Sequence, residues 1–478
     1  MKSSRLRTLV ALTVLASLGA AGMASAGSPP EFSKCAWPVM MSPEGLGNYL
    51  GGPDGQARYW LTPFHGKYQT MQINGHFPHA RYFSIVAYNG GANMLPESTA
   101  RHLYDVLIAP DPGSTNPYLQ SIPPRPRTKD GEGDAYTVLV TRGNDVPGAA
   151  NVIKVTDNFA WVYLRIYVPN EVDSLSGRAF SGGVTLPTIK LYEAGKDAPE
   201  VLEPCPLKAP QPPQGHYPVR SLNKFSDVRA LLRLWFPEGV DINQASDHER
   251  APADDRIWFA PPWNPPMLLM PNPDNKYLAA IPGPYQKDRI IVMRAKVPTV
   301  PGKGTGKADM RYWSIVNTDF ELPVAAVGSL YDGSVVTHDG WYTVVISDDV
   351  VRPDWLPGGV TWMPWGDPDY PKWLFYRHMI PVQSETEYDS EDLFPHAIQK
   401  VVAGCWRGKR NPDPVQGKQE CNHPEAVIDF TFPNLPPRAD FAGPGHNTQK
   451  IMGDYYPVTV WCDKSAFLRG GWRACLAD

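Results

Sequence analysis

The 478-residue chain lacks a long hydrophobic run. Beyond the first 26 residues no stretch reaches ~18 consecutive apolar positions, so no α-helical membrane span is expected. It also lacks an excess of positive charge. With 45 Lys and Arg against 49 Asp and Glu, it has no global attraction for nucleic acid. No G-x-S-x-G or H-E-x-x-H occurs, although a dispersed triad would leave no local trace. C-x-x-C is absent too, which removes the common redox and zinc-site spacings. Helical periodicity is scarce. The 52 prolines are about twice the usual share, and each interior Pro would remove a helix hydrogen bond.

What is present begins with an export signal. Lys2, Arg5 and Arg7 precede the apolar run Leu9 to Ala21, and Ala24-Ser25-Ala26 offers a cleavage site before Gly27. The first cysteine is Cys35, so a lipoprotein anchor is not expected. Without those three basic residues the balance is 42 basic against 49 acidic, a mature charge of −7. Six cysteines in an oxidising compartment read as disulfides. Sequence proximity favours Cys405–Cys421 and Cys462–Cys475, leaving Cys35–Cys205 to join the ends of a first domain. The expected product is exported, to the periplasm or beyond, with an undetermined oligomeric state.

Four blocks recur in the same order. Ala80-Arg81-Tyr82-Phe83-Ser84-Ile85-Val86 returns as Met310-Arg311-Tyr312-Trp313-Ser314-Ile315-Val316, and Leu103-Tyr104-Asp105 as Leu330-Tyr331-Asp332. Tyr136-Thr137-Val138 returns as Tyr342-Thr343-Val344, and the block ending at Arg165 as the one ending at Arg377. Each block is rich in β-branched and aromatic residues and bounded by Gly, Pro, Asn and Asp, the signature of short strands. The expected fold is all-β with minor α: two tandem, duplicated antiparallel β-sandwich (jelly-roll-like) domains joined by a Pro-rich linker and one helix. The bounds read as signal 1–26, N-terminal extension 27–58, domain 1 at 59–202, linker and helix 203–256, domain 2 at 257–403, and a disulfide-bearing segment 404–478. The helix is placed by Ser226 as cap, by Val228, Leu231, Leu232 and Trp235 at helical spacing, and by Pro237 as stop.

Several motifs carry a resemblance. They are His76-Phe77-Pro78-His79-Ala80-Arg81-Tyr82-Phe83-Ser84, the turn Pro110 to Tyr118, and Gly182-Gly183-Val184-Thr185-Leu186-Pro187. In the second half they are Asn272 to Leu278, Arg311-Tyr312-Trp313-Ser314, and Val360 to Gly366. They resemble an exported bacterial family known only as hypothetical proteins. A looser kinship runs to two-domain β-sandwich proteins of unknown function. The resemblance implies no activity, so it brings no catalytic residue.

Candidate chemistry rests on the residues themselves. His76-x-x-His79 with His65 has metal-ligand ingredients. Three positions apart on an extended chain, however, the two side chains point to opposite faces. No metal or other cofactor is expected. The recurrent Arg81/Arg311, Asp105/Asp332, Tyr136/Tyr342 and Arg165/Arg377 either form an anion or carbonyl site or lock strand to strand. The aromatics Trp263, Trp362, Trp365 and Tyr370 stand among Pro, Gly and Asp. Such loop positions suit stacking on a ligand, so these residues are expected on an exposed rim. Trp373 and Phe375 read as core. The acidic run Glu385 to Asp392 and Asp367/Asp369 read as solvated surface, and Gly302 to Lys307 as a loop that fails the phosphate-binding pattern. The favoured function is a non-catalytic exported binding protein for a saccharide or other small or polymeric ligand. The alternatives are an exported hydrolase or lyase using dispersed Asp/Glu, Tyr and Arg residues, and a structural envelope protein.

Overall fold

The computed structural model describes residues 35–41, 54–89, 99–124, 134–143, 148–169, 181–206, 255–259, 272–302, 308–319, 326–369, 372–380 and 448–476. The signal segment, most of the linker with its expected helix, the Cys405–Cys421 pair, Trp263, Tyr370 and the 385–392 acidic run lie outside them. The chain divides into two compact units, residues 1–40 with 58–210, and 41–57 with 211–478.

The first unit contains β1 (Val39–Met41), β2 (Ala57–His65), β3 (Tyr68–His76), β4 (Ala80–Asn89) and β5 (Thr99–Tyr104). It continues with β6 (Ala135–Arg142), β7 (Val152–Val155), β8 (Phe159–Pro169), β9 (Thr188–Glu193) and β10 (Glu200–Leu202). They form two five-stranded sheets, in the orders β1-β2-β8-β4-β5 and β10-β9-β3-β6-β7. The sheets face each other through aromatic packing. Phe83 on β4 meets Tyr136 on β6 with ring centroids 5.5 Å apart, and Phe77 lies against both. Alternation of buried and half-buried residues along β6 puts one face of that sheet toward water. β4 is buried at nearly every position, as a strand covered on both faces must be.

The second unit contains β11 (Arg256–Ile257), β12 (Asn275–Ala280), β13 (Arg289–Lys296), β14 (Tyr312–Asp319) and β15 (Ala326–Tyr331). Its later strands are β16 (Thr337–His338), β17 (Trp341–Ser347), β18 (Thr361–Pro364), β19 (Lys372–Met379) and β20 (Val458–Asp463). Two short helices, α1 (Lys464–Gly470) and α2 (Arg473–Leu476), follow. One sheet runs β12-β19-β14-β15. The other runs β11-β20-β13-β17-β16, with β18 added to β17 in parallel. Between them Leu278, Trp313, Ile315, Leu374 and Tyr376 from the first sheet pack on Ile291, Met293, Tyr342, Val344 and Trp461 from the second. The fold is therefore all-β with minor α, as the strand signals require.

The C-terminal segment is part of this sandwich. β20 lies between β11 and β13, so the second sheet draws a central strand from well beyond residue 403. The reason is apolar demand: Val460 and Cys462 supply one face and Trp461 the other, a fully buried strand signature. Residues 54–57, at the end of the N-terminal extension, also group with the second unit.

Two of the three expected disulfides fall among described residues. Cys35 is bonded to Cys205 and Cys462 to Cys475. No helix among the described residues is long and apolar enough to cross a membrane.

Candidate functional site

The recurrent polar residues occupy corresponding places in the two units. Asp105 follows β5, and its Oδ2 accepts the backbone N–H of Phe83 at 3.1 Å. Asp332 follows β15, and its Oδ2 accepts the backbone N–H of Trp313 at 3.4 Å. Ser84 pairs across the ladder with Arg165, and Ser314 with Arg377. Tyr136 stacks on Phe83, and Tyr342 on Trp313 with centroids 5.2 Å apart. The Asp side chains satisfy N–H groups at the start of β4 and β14, which would otherwise be buried without partners. Arg81 and Arg311 are buried at the start of the same two strands.

Arg165 sits on the face of the first sheet turned away from the sandwich core. It donates to Tyr88 Oη at 2.7 Å, and its guanidinium lies 4.8 Å from the Tyr163 ring centroid and 5.6 Å from that of Tyr59. Arg377 takes the corresponding place over Tyr277 and Phe375, at 5.5 and 5.7 Å. The second unit adds an acid that the sequence did not disclose. Asp54 accepts hydrogen bonds from Tyr312 Oη at 2.5 Å and from Ser314 Oγ, and lies 3.6 Å from Arg377 Nη1. Gly55 beside it donates its N–H to Ser329 Oγ at 2.9 Å, and a Cβ there would stand 2.6 Å from the Ser329 Cβ. Only a residue without a side chain brings Asp54 that close to the sheet.

Burial holds these phenols in the protonated form. It raises Tyr136 and Tyr342 far above their usual value. Tyr312 is raised by burial first and by the Asp54 charge second. At neutral pH these phenols are held in the neutral form, and Tyr312 donates its proton to the hydrogen bond with Asp54. Among these positions, Arg165 is tied to Tyr88 and Arg377 lies beside Asp54.

The expected exposure of Trp365 is corrected. Trp365 is 1% exposed and packs between the sheets of the second unit, 5.3 Å from Trp461 and 6.0 Å from Tyr285 by ring centroids. Its neighbours form β18, whose one proline sits where no ladder donor is needed. Pro364 ends the strand, and the Trp365 N–H returns to Ser347 O at 2.6 Å. Asn317 donates to the carbonyls of Pro364 and Trp365, fixing the inward turn. Trp362 is half-buried, with Nε1 donating to Ser347 Oγ at 2.9 Å. Trp373 and Phe375 are buried, as read from the sequence.

The histidines are separated. His79 is buried with its N–H on Gly182 O at 2.9 Å, and Gly182 (φ +71°) comes so close that a Cβ would lie 2.9 Å from His79 backbone. That contact gives the Gly182-Gly183 motif a structural reason. The His65 ring lies edge-on to Phe159, and burial, then Arg142 and Lys67, lower its pKa. No group of three or more metal-ligating side chains comes together among the described residues.

One surface was missed. On the outward face of the second unit's larger sheet, the Arg294 guanidinium lies 3.9 Å from the Trp472 ring centroid and 4.9 Å from that of Trp341. Arg473 lies 4.6 Å from the same Trp472 ring. Both tryptophans are half-buried and Arg473 is exposed. The Cys462–Cys475 bond holds α2 against the cluster of Ile290, Val292, Val460 and Phe467 beneath. The only sequence sign is Arg294 and Lys296 two apart at the end of a strand. Nothing local ties them to Trp472.

No protein-family model and no curated protein matches the chain. Among solved structures it is similar to an uncharacterized protein from Burkholderia cenocepacia, at 14% identity and TM-score 0.43, over 79% of this chain and 86% of that one. It is also similar to a protein from Vibrio parahaemolyticus, at 12% identity and TM-score 0.35, over 71% of this chain and 89% of that one.

Proposed function

We propose that the protein is an exported, non-catalytic binding protein for a saccharide or other small or polymeric ligand, acting in the periplasm or outside the cell. The carrying observation is the aromatic shelf of Trp341 and Trp472, half-buried at the surface and held by guanidinium groups and a disulfide. Surface rings with a polar edge and charged groups beside them suit sugars and other flat ligands. Supporting the non-catalytic part, the Tyr and Arg residues that motivated a hydrolase or lyase are taken up in strand locks. The disulfides agree with export. The corresponding strand orders and Asp, Arg and Tyr placements favour descent of the two units from a duplication, within the exported family that the motifs resemble. Of the candidate binders read from sequence, Trp362 lies on the same outward face as the shelf. Trp365, Tyr136, Tyr342, Arg81 and Arg311 are buried, and they serve the fold in this reading.

The test is a thermal-shift screen of the mature protein against neutral glycans, acidic glycans, lipids and divalent metals, since a ligand of the folded state raises apparent stability. A rise that Trp472→Ala abolishes, while the unliganded variant still unfolds cooperatively, supports the reading. A panel with no rise for any class refutes it.

A further inference from the structure

We propose that the shelf recognises an acidic saccharide, with Arg294 and Arg473 taking sugar carboxylates beside the Trp341 and Trp472 rings that they cover. The inference rests on the binding reading above and names its ligand class. A single Arg–Trp stack would need no ligand to explain it. Here two guanidinium groups share one indole, and like charges held together disfavour each other. Arg294 shows the strain: burial first, and the Arg473 charge second, lower its pKa. Among the described residues no carboxylate lies within ion-pair distance of either arginine. The hydrogen bond of Arg294 runs from Nη1 to Thr343 Oγ1 at 2.9 Å, a neutral acceptor that orients the fork without neutralising it. Lys296, the next outward position on β13 and opposite Trp341 in register, extends the cationic strip over the Tyr455 ring at 5.2 Å.

An incoming carboxylate would relieve that repulsion and take paired N–H donors in the planar geometry guanidinium favours. The mature chain is acidic overall, so attraction is local to this strip, and a ligand needs ring contact as well as charge. A sugar acid supplies both: a carboxylate for the guanidinium groups and apolar C–H groups for the indole edges left open beside them. Inorganic anions supply only the first.

The experiment is calorimetric titration of the mature protein with oligogalacturonate, and with a neutral galacto-oligosaccharide of equal length, at low and high salt. The expected result is binding of the acidic oligomer, weakened by salt. Arg473→Gln should weaken it about fivefold, the scale of a well-formed exposed ion pair. Arg294→Lys should also weaken it, because the charge remains but the fork is lost. Arg473 is exposed, so its variant should melt with the wild type. If the neutral oligomer binds as well and Arg473→Gln changes nothing, the acidic class is overturned and the binding reading stands. If neither oligomer binds, the acidic-saccharide proposal falls. The binding reading then depends on the wider thermal-shift panel.

Discussion

Lys372 and Asp319 form an ion pair 2.6 Å long, with side chains 0% and 1% exposed. The pair closes the ladder between the end of β14 and the start of β19. Lys372 Nζ also donates to the Asp367 carbonyl at 2.7 Å and lies 5.6 Å from the Trp365 ring centroid. Burial raises the Asp319 pKa, and Lys372 opposes that rise. Lys372→Met keeps most of the buried stem but strands the carboxylate, which should cost about 3–5 kcal/mol at pH 7. Adding Asp319→Asn removes the orphaned charge, so the double variant should be more stable than Lys372→Met alone. The pH arm has a definite sign. In Lys372→Met the folded-state carboxyl titrates further above its ordinary value, so its protonation relieves the penalty. The deficit against wild type is full at pH 7 and shrinks as pH falls through the raised pKa. Urea unfolding followed by tryptophan fluorescence measures each variant. A loss under ~1 kcal/mol, the level of an exposed pair, would refute the reasoning. So would a double variant costing the sum of both singles.

Three further outcomes are expected. Trp365→Ala should destabilise the second unit by about 3–5 kcal/mol, and a near-neutral melting temperature would contradict its core placement. Burial lowers the His378 pKa from 6.5 to about 3, so folding excludes a proton that the unfolded chain accepts. Its contribution is intact above pH 6.5 and is lost at about 1.4 kcal/mol per pH unit as pH falls from 6.5 toward 3. His378→Phe should flatten that part of the stability–pH curve, and an unchanged slope would count against it. Replacing Cys462 and Cys475 together by Ser opens a bridge with a sequence separation of 13, which should cost about 3 kcal/mol. It should also loosen α2, read as faster amide exchange around Trp472, with unchanged exchange contradicting the staple.

The sequence alone determined the strand-rich class, because β-branched and aromatic runs bounded by Gly and Pro admit few other structures. The recurring Leu-Tyr-Asp also marked Asp105 and Asp332 as matching positions, though not what their side chains accept. Sequence proximity sufficed to pair Cys462 with Cys475. The tertiary structure decided the rest through partners distant in the chain. Pro364, Gly366 and Pro368 announce an interruption, but which way Trp365 turns depends on the space left between β17, β14 and Trp461. β20 reads as a short apolar run, and its central place depends on the gap between β11 and β13, some 200 residues upstream. Asp54 is one acid among many until the backbone at Gly55 brings it onto Tyr312 and Arg377. Arg294 and Trp472 meet only because β20 delivers α2 to the face that β13 exposes. Local composition fixes what a segment can form; side-chain direction and partner choice depend on the packing of the whole unit.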